Sequence, residues 1–215
     1  MKKIKIINRF GDFNWKTVAL LMLGTVICTV AGFVWLDELI FLRLRSYDIG
    51  AWHWLDILGK WPIVLGWAVV LFGISRFLRE NKFQMAFGNA TLAIIIAMFV
   101  TGLLKISFGR MRPNMFEALG ITEFRPFSLS NTFHSFPSGH TAAALALLVS
   151  LGIVFPKCRI ITWTLSVLVA ISRIAIGSHW PSDVVFGALI GTLSAYFVIY
   201  LKKRYAAYIL EKRHQ

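Results

Sequence analysis

Residues 17–36 read TVALLMLGTVICTVAGFVWL, twenty positions without a charged side chain. A helix of about 20 apolar residues is what the hydrocarbon core of a bilayer demands. The run is longer than a signal-peptide core and lacks a convincing small-residue cleavage site, so it reads as a retained first span. Five more apolar runs follow. Residues 61–78 are interrupted only by Arg76, which can snorkel near the end. Residues 85–104 form the third. Residues 138–155, rich in Ala and Leu, form the fourth and stop at Pro156. Residues 160–176 carry Arg173 near their far end, and residues 184–201 are closed by Lys202, Lys203 and Arg204. The expected fold is all-α: one polytopic membrane domain over residues 1–215, built as a six-helix transmembrane bundle. Between the first two spans, residues 37–60 mix Leu, Ile, Trp52 and Trp54 with Arg43, Arg45, Asp48 and Asp56. This segment is too charged to span and is expected to lie at the outer interface as an amphipathic anchor, in preference to a substrate gate.

Composition supports the same class. The chain is 57% hydrophobic and 15% charged, where a soluble domain is about a quarter charged. A single water-soluble core and intrinsic disorder are both excluded. The net charge of +13 would suggest nucleic acid if it formed one patch, but the charges punctuate the apolar runs. Six spans put both termini on one side, and that side collects fifteen basic residues against three acids. The other side has eight basic residues and seven acids. The positive-inside rule then places both termini in the cytoplasm of a bacterial-type inner membrane. The basic excess is a topological signal, and no nucleic-acid partner is expected. Cys28 and Cys158 are expected to be free, and no repeat or low-complexity tract is present.

The chemistry lies at the opposite, outer face. Lys105, Arg112, Arg173, His140, His179 and Asp183 all fall where a span meets an outer loop. Ionisable groups at such depth are costly and tend to be functional. Three permanent cations brought together repel unless they surround an anion, and the planar arginine fork suits the tetrahedral oxygens of phosphate. Ser138 is placed to cap the fourth span, while Gly139 lets backbone N–H groups approach an anion at the positive end of that helix. His179 and Asp183 are four residues apart. The Asp is expected to accept a hydrogen bond from one ring nitrogen and leave the other free to attack phosphorus. His140, on another span, is expected to protonate the leaving oxygen. No cluster has metal-ligand spacing, so neither a metal nor a cofactor is expected.

These residues fall into three ordered motifs. Lys105 to Pro113 reads KISFGRMRP, Pro137 to His140 reads PSGH, and Ser172 to Asp183 reads SRIAIGSHWPSD. They resemble the K-x6-R-P, P-S-G-H and S-R-x5-H-x3-D motifs of the type 2 phosphatidic acid phosphatase superfamily, with no departure at any motif position. The resemblance implies a helical bundle that hydrolyses lipid phosphates and diphosphates without a metal. It also implies a phosphohistidine at His179 assisted by Asp183, and protonation of the leaving group by His140. Lys105, Arg112, Ser138, Gly139 and Arg173 would bind phosphate oxygens.

The expected activity is therefore that of a lipid phosphatase whose best single substrate is undecaprenyl diphosphate, cleaved to the monophosphate. A lipid A phosphate, phosphatidylglycerol phosphate and lipid-to-lipid phosphotransfer stand close behind. The expected partners are the lipid substrate and the bilayer; the sequence names no protein partner. A lipid or anion transporter is the rival from another class, but transporters tend to hold such groups at the midplane between repeats. Arg110 and Arg125 read as solvated loop charges or headgroup contacts, His134 as a loop residue packed among Phe133 and Phe136, and His53 and His214 as interfacial and tail residues. The stretch from Pro113 to Phe136 leaves little room for a separate lid.

Overall fold

The computed structural model describes residues 15–47 and 50–212, and these are overwhelmingly helical. The basic N-terminal cluster, Asp48 and His214 lie outside the described residues.

The first helix, α1 (Trp15–Ala31), passes through a π-helical turn (Gly32–Leu36) into α2 (Asp37–Arg45). The result is one apolar rod from Lys16 to Arg45. The run thus continues nine residues beyond Leu36, where the sequence predicts a stop at the charged residues. Asp37 does not stop it because its carboxylate is buried and paired with Arg110 instead of facing lipid. Asp37 and Glu38 open α2 while Arg43 and Arg45 close it, the order that complements the helix dipole. The expected interfacial segment is therefore two things. Its first part belongs to the first helix. Its second part, α3 (Ala51–Gly59), meets α4 (Trp61–Phe77) at a bend of 53°.

After α4 come α5 (Asn81–Phe108), the short α6 (Pro113–Leu119), α7 (Gly139–Val154), α8 (Arg159–Ala175) and α9 (Pro181–Lys212). Four helical stretches are long and apolar enough to cross a membrane: 16–45, 81–108, 156–175 and 181–209. The count rises to five if the bent pair α3–α4 is taken as one broken span. At 16 residues, α7 is apolar but shorter. It is the central helix, packed against α5, α8 and α9, and twelve of its residues are buried.

Small residues let α7 sit so deep. Ala142, Ala143, Ala144 and Ala146 are buried on it. On α9, a Cβ at Gly187 would fall 2.5 Å from the Ser138 carbonyl oxygen, and one at Gly191 would fall 2.3 Å from that of Ala142. The two glycines, four apart, form the small-xxx-small face by which membrane helices bring their backbones together. The exterior is the reverse of a soluble protein's. Leu20, Ile27, Trp35, Phe77, Phe99 and Ile160 are large, apolar and exposed, on a scale that only lipid contact accommodates. The molecule is a membrane protein.

Candidate active site

The K-x6-R-P segment starts inside α5, where Lys105 occupies the last turn. Gly109 ends the helix at φ +58, donating its N–H to the Lys105 carbonyl. A Cβ there would fall 1.7 Å from the Arg125 carbonyl oxygen, so only glycine fits both the left-handed backbone and the approach of the returning loop. The chain then runs extended through Arg110 to Arg112. Lys105 Nζ donates to the carbonyls of His134, at 2.5 Å, and Ser135, at 3.4 Å. Arg112 Nε donates to Asn131 O at 2.9 Å and its Nη1 to Ser178 O at 3.1 Å. Both cations are thus fixed by backbone of the loops that lead into α7 and α9. Ser138 caps α7, its Oγ accepting from Thr141 N, and its own N–H donates to Asp183 O at 2.9 Å. Gly139 faces Lys105, whose Cε would lie 3.7 Å from an added Cβ.

His179 sits on the turn between α8 and α9. The Arg173 carbonyl accepts the N–H groups of both Ser178 and His179 at 3.1 Å, which ties the turn to the end of α8. The ring nitrogen Nδ1 lies 2.8 Å from Ser135 O. A carbonyl can only accept, so Nδ1 carries the proton and Nε2 of the neutral ring keeps its lone pair. Asp183 Oδ2 stands 3.7 Å from Nδ1, beyond hydrogen-bonding range. The four-residue spacing does bring Asp183 against the ring, but the tautomer is set by Ser135 O. Asp183 Oδ2 accepts instead from Ser135 Oγ at 2.5 Å and Trp180 N at 2.9 Å. Burial drives the His179 pKa well below its ordinary value, reinforced by the positive fields of Lys105, Arg112, Arg173 and His140. Arg112 is lowered by burial, against the opposing pull of Asp183. Chain segments far apart in sequence therefore converge on one charged cluster.

Arg173 is buried and pairs with Asp56 through Nη1. His140 Nε2 stands 3.4 Å from Asp56 Oδ1, and Lys60 Nζ lies 3.6 Å from Asp56 Oδ2. Helix α3 reaches these groups because Gly59 packs directly on His140, where a Cβ would sit 3.1 Å from the His140 Cβ. The segment read as a surface anchor thus delivers a carboxylate to the cluster.

Arg110 overturns its expectation. It is 5% exposed, not solvated, and its fork bridges Asp183, Asp37 and Ser182, each at 2.7 Å. The extended stretch from 110 to 112 places alternate side chains on one side, a pattern that could have grouped Arg110 with Arg112. Asp37, Asp56, Ser135 and Ser182 carried no comparable signal, since each finds its partner only in three dimensions. Arg125 behaves as expected: it is exposed and paired with Glu123 at 2.7 Å. His134 is a loop residue, bonded through Nε2 to Ser128 O. Cys28 and Cys158 are free.

Comparison with known proteins bears on the family to which this site belongs. The chain is 34% identical over 98 residues to the lipid A 1-phosphatase of Rhizobium johnstonii, covering 46% of this chain and 40% of that protein. It therefore spans well under half the length of that relative. It is 29% identical over 138 residues to the undecaprenyl-diphosphatase of Sulfolobus acidocaldarius, covering 63% of each chain. In fold it is similar to the crystal structure of the first transmembrane PAP2 type phosphatidylglycerolphosphate phosphatase from Bacillus subtilis. That likeness has a TM-score of 0.66 at 23% identity, covering 87% of this chain and 96% of the other. A family model described as the PAP2 superfamily matches residues 86–206, an interval that holds the three motifs and every residue they nominate. By sequence, fold and motif content, the chain belongs to the PAP2 superfamily.

Proposed function

We propose that this protein is a membrane lipid phosphatase that works through a phosphohistidine at His179. The observation that carries the reading is the hydrogen bond from His179 Nδ1 to Ser135 O. It commits the ring to the tautomer whose Nε2 can attack, within reach of the fields of Lys105, Arg112 and Arg173. In the first step Nε2 forms a bond to phosphorus as the bond to the lipid oxygen breaks, and His140 gives that oxygen a proton. Lys105, Arg112, Arg173, Ser138 and the backbone at Gly139 hold the phosphoryl oxygens and offset the developing charge. In the second step water loses a proton to His140 and displaces phosphate from Nε2, which restores the starting ring. Asp183 holds the loop of His179 in register. The Asp56 carboxylate, which meets Arg173 in the resting site, gives way to the oxygens of the substrate.

The lipid tail would remain among the spans while its phosphate enters at the rim. In this reading the chain crosses the inner membrane six times, counting α7, with both termini cytoplasmic, α3 at the outer interface and the site on the periplasmic side. The preferred substrate is undecaprenyl diphosphate, supported by likeness to the Sulfolobus acidocaldarius enzyme over 63% of each chain. A second reading, a lipid A 1-phosphate, is favoured by the 34% identity to the rhizobial protein. Both present a phosphoryl group on a good leaving oxygen. Phosphate release by purified protein from undecaprenyl diphosphate, lipid A, phosphatidylglycerol phosphate and phosphatidic acid tests the assignment. Turnover of at least one, abolished by His179→Ala, is expected; no release from any of them contradicts it.

A further inference from the structure

A buried, densely hydrogen-bonded polar network lies behind the site. Arg110 Nη1 donates to Asp183 Oδ1 and to Ser182 Oγ, and its Nη2 donates to Asp37 Oδ2. Ser182 closes the ring: its N–H donates to Asp37 Oδ1 at 2.9 Å and its hydroxyl to Asp37 Oδ2 at 2.5 Å. Asp37, Arg110, Ser182 and Asp183 are all buried. The guanidinium lies 4.2 Å from the ring centre of Phe33 and 5.2 Å from that of Trp180, the neighbour of His179.

Each partner arrives from a different part of the fold. Arg110 follows the turn at Gly109, and Ser182 and Asp183 open α9. Asp37 is brought by the first helix, outside the region matched by the family model. Gly32, in the π-helical turn, permits that approach: a Cβ there would fall 2.7 Å from the Cβ of Ser182. Single π-turns inside α-helices are frequent at functional sites, and here the turn aims Phe33 and Asp37 at one cation.

We propose that Asp37 and Arg110 are positioning residues for phosphoryl transfer. Arg110, anchored from behind by Asp37, holds one oxygen of Asp183, so that the other can bind Ser135 Oγ and Trp180 N. The same Ser135 supplies the carbonyl that fixes the tautomer of His179. The chain Asp37–Arg110–Asp183–Ser135–His179 thus runs from the first helix to the nucleophile. Arginine is required because its fork serves two carboxylates at once, whereas an ammonium offers one point charge. Neither Asp37 nor Arg110 is assigned a contact with phosphate; both act through the ring they orient.

This inference rests on His179 being the nucleophile, and one set of variants separates the two claims. Asp37→Asn keeps shape and one acceptor oxygen but loses the charge; Arg110→Lys keeps charge but loses the fork. Both are purified with the wild type, compared in thermal melting, and assayed with undecaprenyl diphosphate, or with lipid A if that is what the wild type hydrolyses. The expected result is a fall in kcat of about tenfold or more with KM within about threefold, matched by slower 32P-phosphoenzyme formation per folded molecule. Combined, the two substitutions should cost much less than the product of their separate effects, because they interrupt one chain. Should Asp37→Asn fail to fold, Ser182→Ala, which deletes a single hydroxyl, is expected to show the same split. Folded Asp37→Asn or Ser182→Ala with unchanged kcat, or losses that multiply independently, would overturn the proposal. If His179→Ala remained active, the phosphohistidine reading itself would fall instead.

Discussion

His179 shows how a carbonyl can do what a carboxylate was expected to do. Ser135 O takes the Nδ1 proton, and burial among cations keeps the ring neutral. The sign of that shift has a kinetic consequence. A histidine ordinarily gains its proton near pH 6.5, but one whose charged form is disfavoured stays neutral, and so nucleophilic, further into acid. Phosphoenzyme formation, measured in single turnover on a substrate with a good leaving group, is expected to hold its rate from about pH 7 to about pH 6. Half-loss near 6.5 would mean that the ring titrates as if in water. At this scale the sequence was only partly legible. The motif residues announced themselves by spacing: Lys105, Arg112, Arg173 and His140 lie near enough for their fields to act on His179, and Asp183 stands 3.7 Å from its ring. The partners that hold them did not: Ser135 acts through its backbone, which has no residue-type signature, and Asp37 lies 73 positions from Arg110.

Helices and turns decide whether these side chains meet. The apolar runs located every long helix, because lipid demands uninterrupted hydrophobic sequence. Their ends were less legible, since a charge that stops a span when it faces lipid continues it when buried against a partner, as Asp37 does. The turn at Gly109 is the most exacting joint. It combines a left-handed backbone with a position where an added methyl would overlap the Arg125 carbonyl, and it delivers both Arg110 and Arg112. Gly109→Ala, which at a compatible backbone would be mildly stabilising, is expected here to destabilise by more than ~1 kcal/mol, and to lower phosphate release by at least about tenfold, as read by melting temperature and initial rate. A variant with wild-type melting and turnover would show that the loop relaxes freely. By contrast, Gly120 meets nothing within 4 Å, so Gly120→Ala serves as a control for backbone strain alone.

Taken whole, the molecule places its chemistry at one end of a short central helix. With 16 residues, α7 rises about 24 Å, so Ser138 and the turn Pro156–Cys158 lie at opposite ends of the bundle. In the orientation proposed from the positive-inside bias, the Cys158 end faces the cytoplasm. Cys158 is exposed there, while Cys28 is exposed on the apolar flank of α1. In a Cys28→Ser background, a membrane-impermeant maleimide is expected to label Cys158 in inverted vesicles and to spare it in intact spheroplasts. The opposite pattern would move the active site to the cytoplasmic face and exclude an outer-leaflet substrate.

Capture of the covalent intermediate tests the central claim most directly. Purified protein mixed with 32P-labelled substrate and quenched in alkali within one turnover should retain label stable to base and lost in acid, as a phosphorus–nitrogen bond requires. Peptide mapping should place it on His179. Label on any other residue, or phosphate release that continues unabated in His179→Ala, would contradict the account.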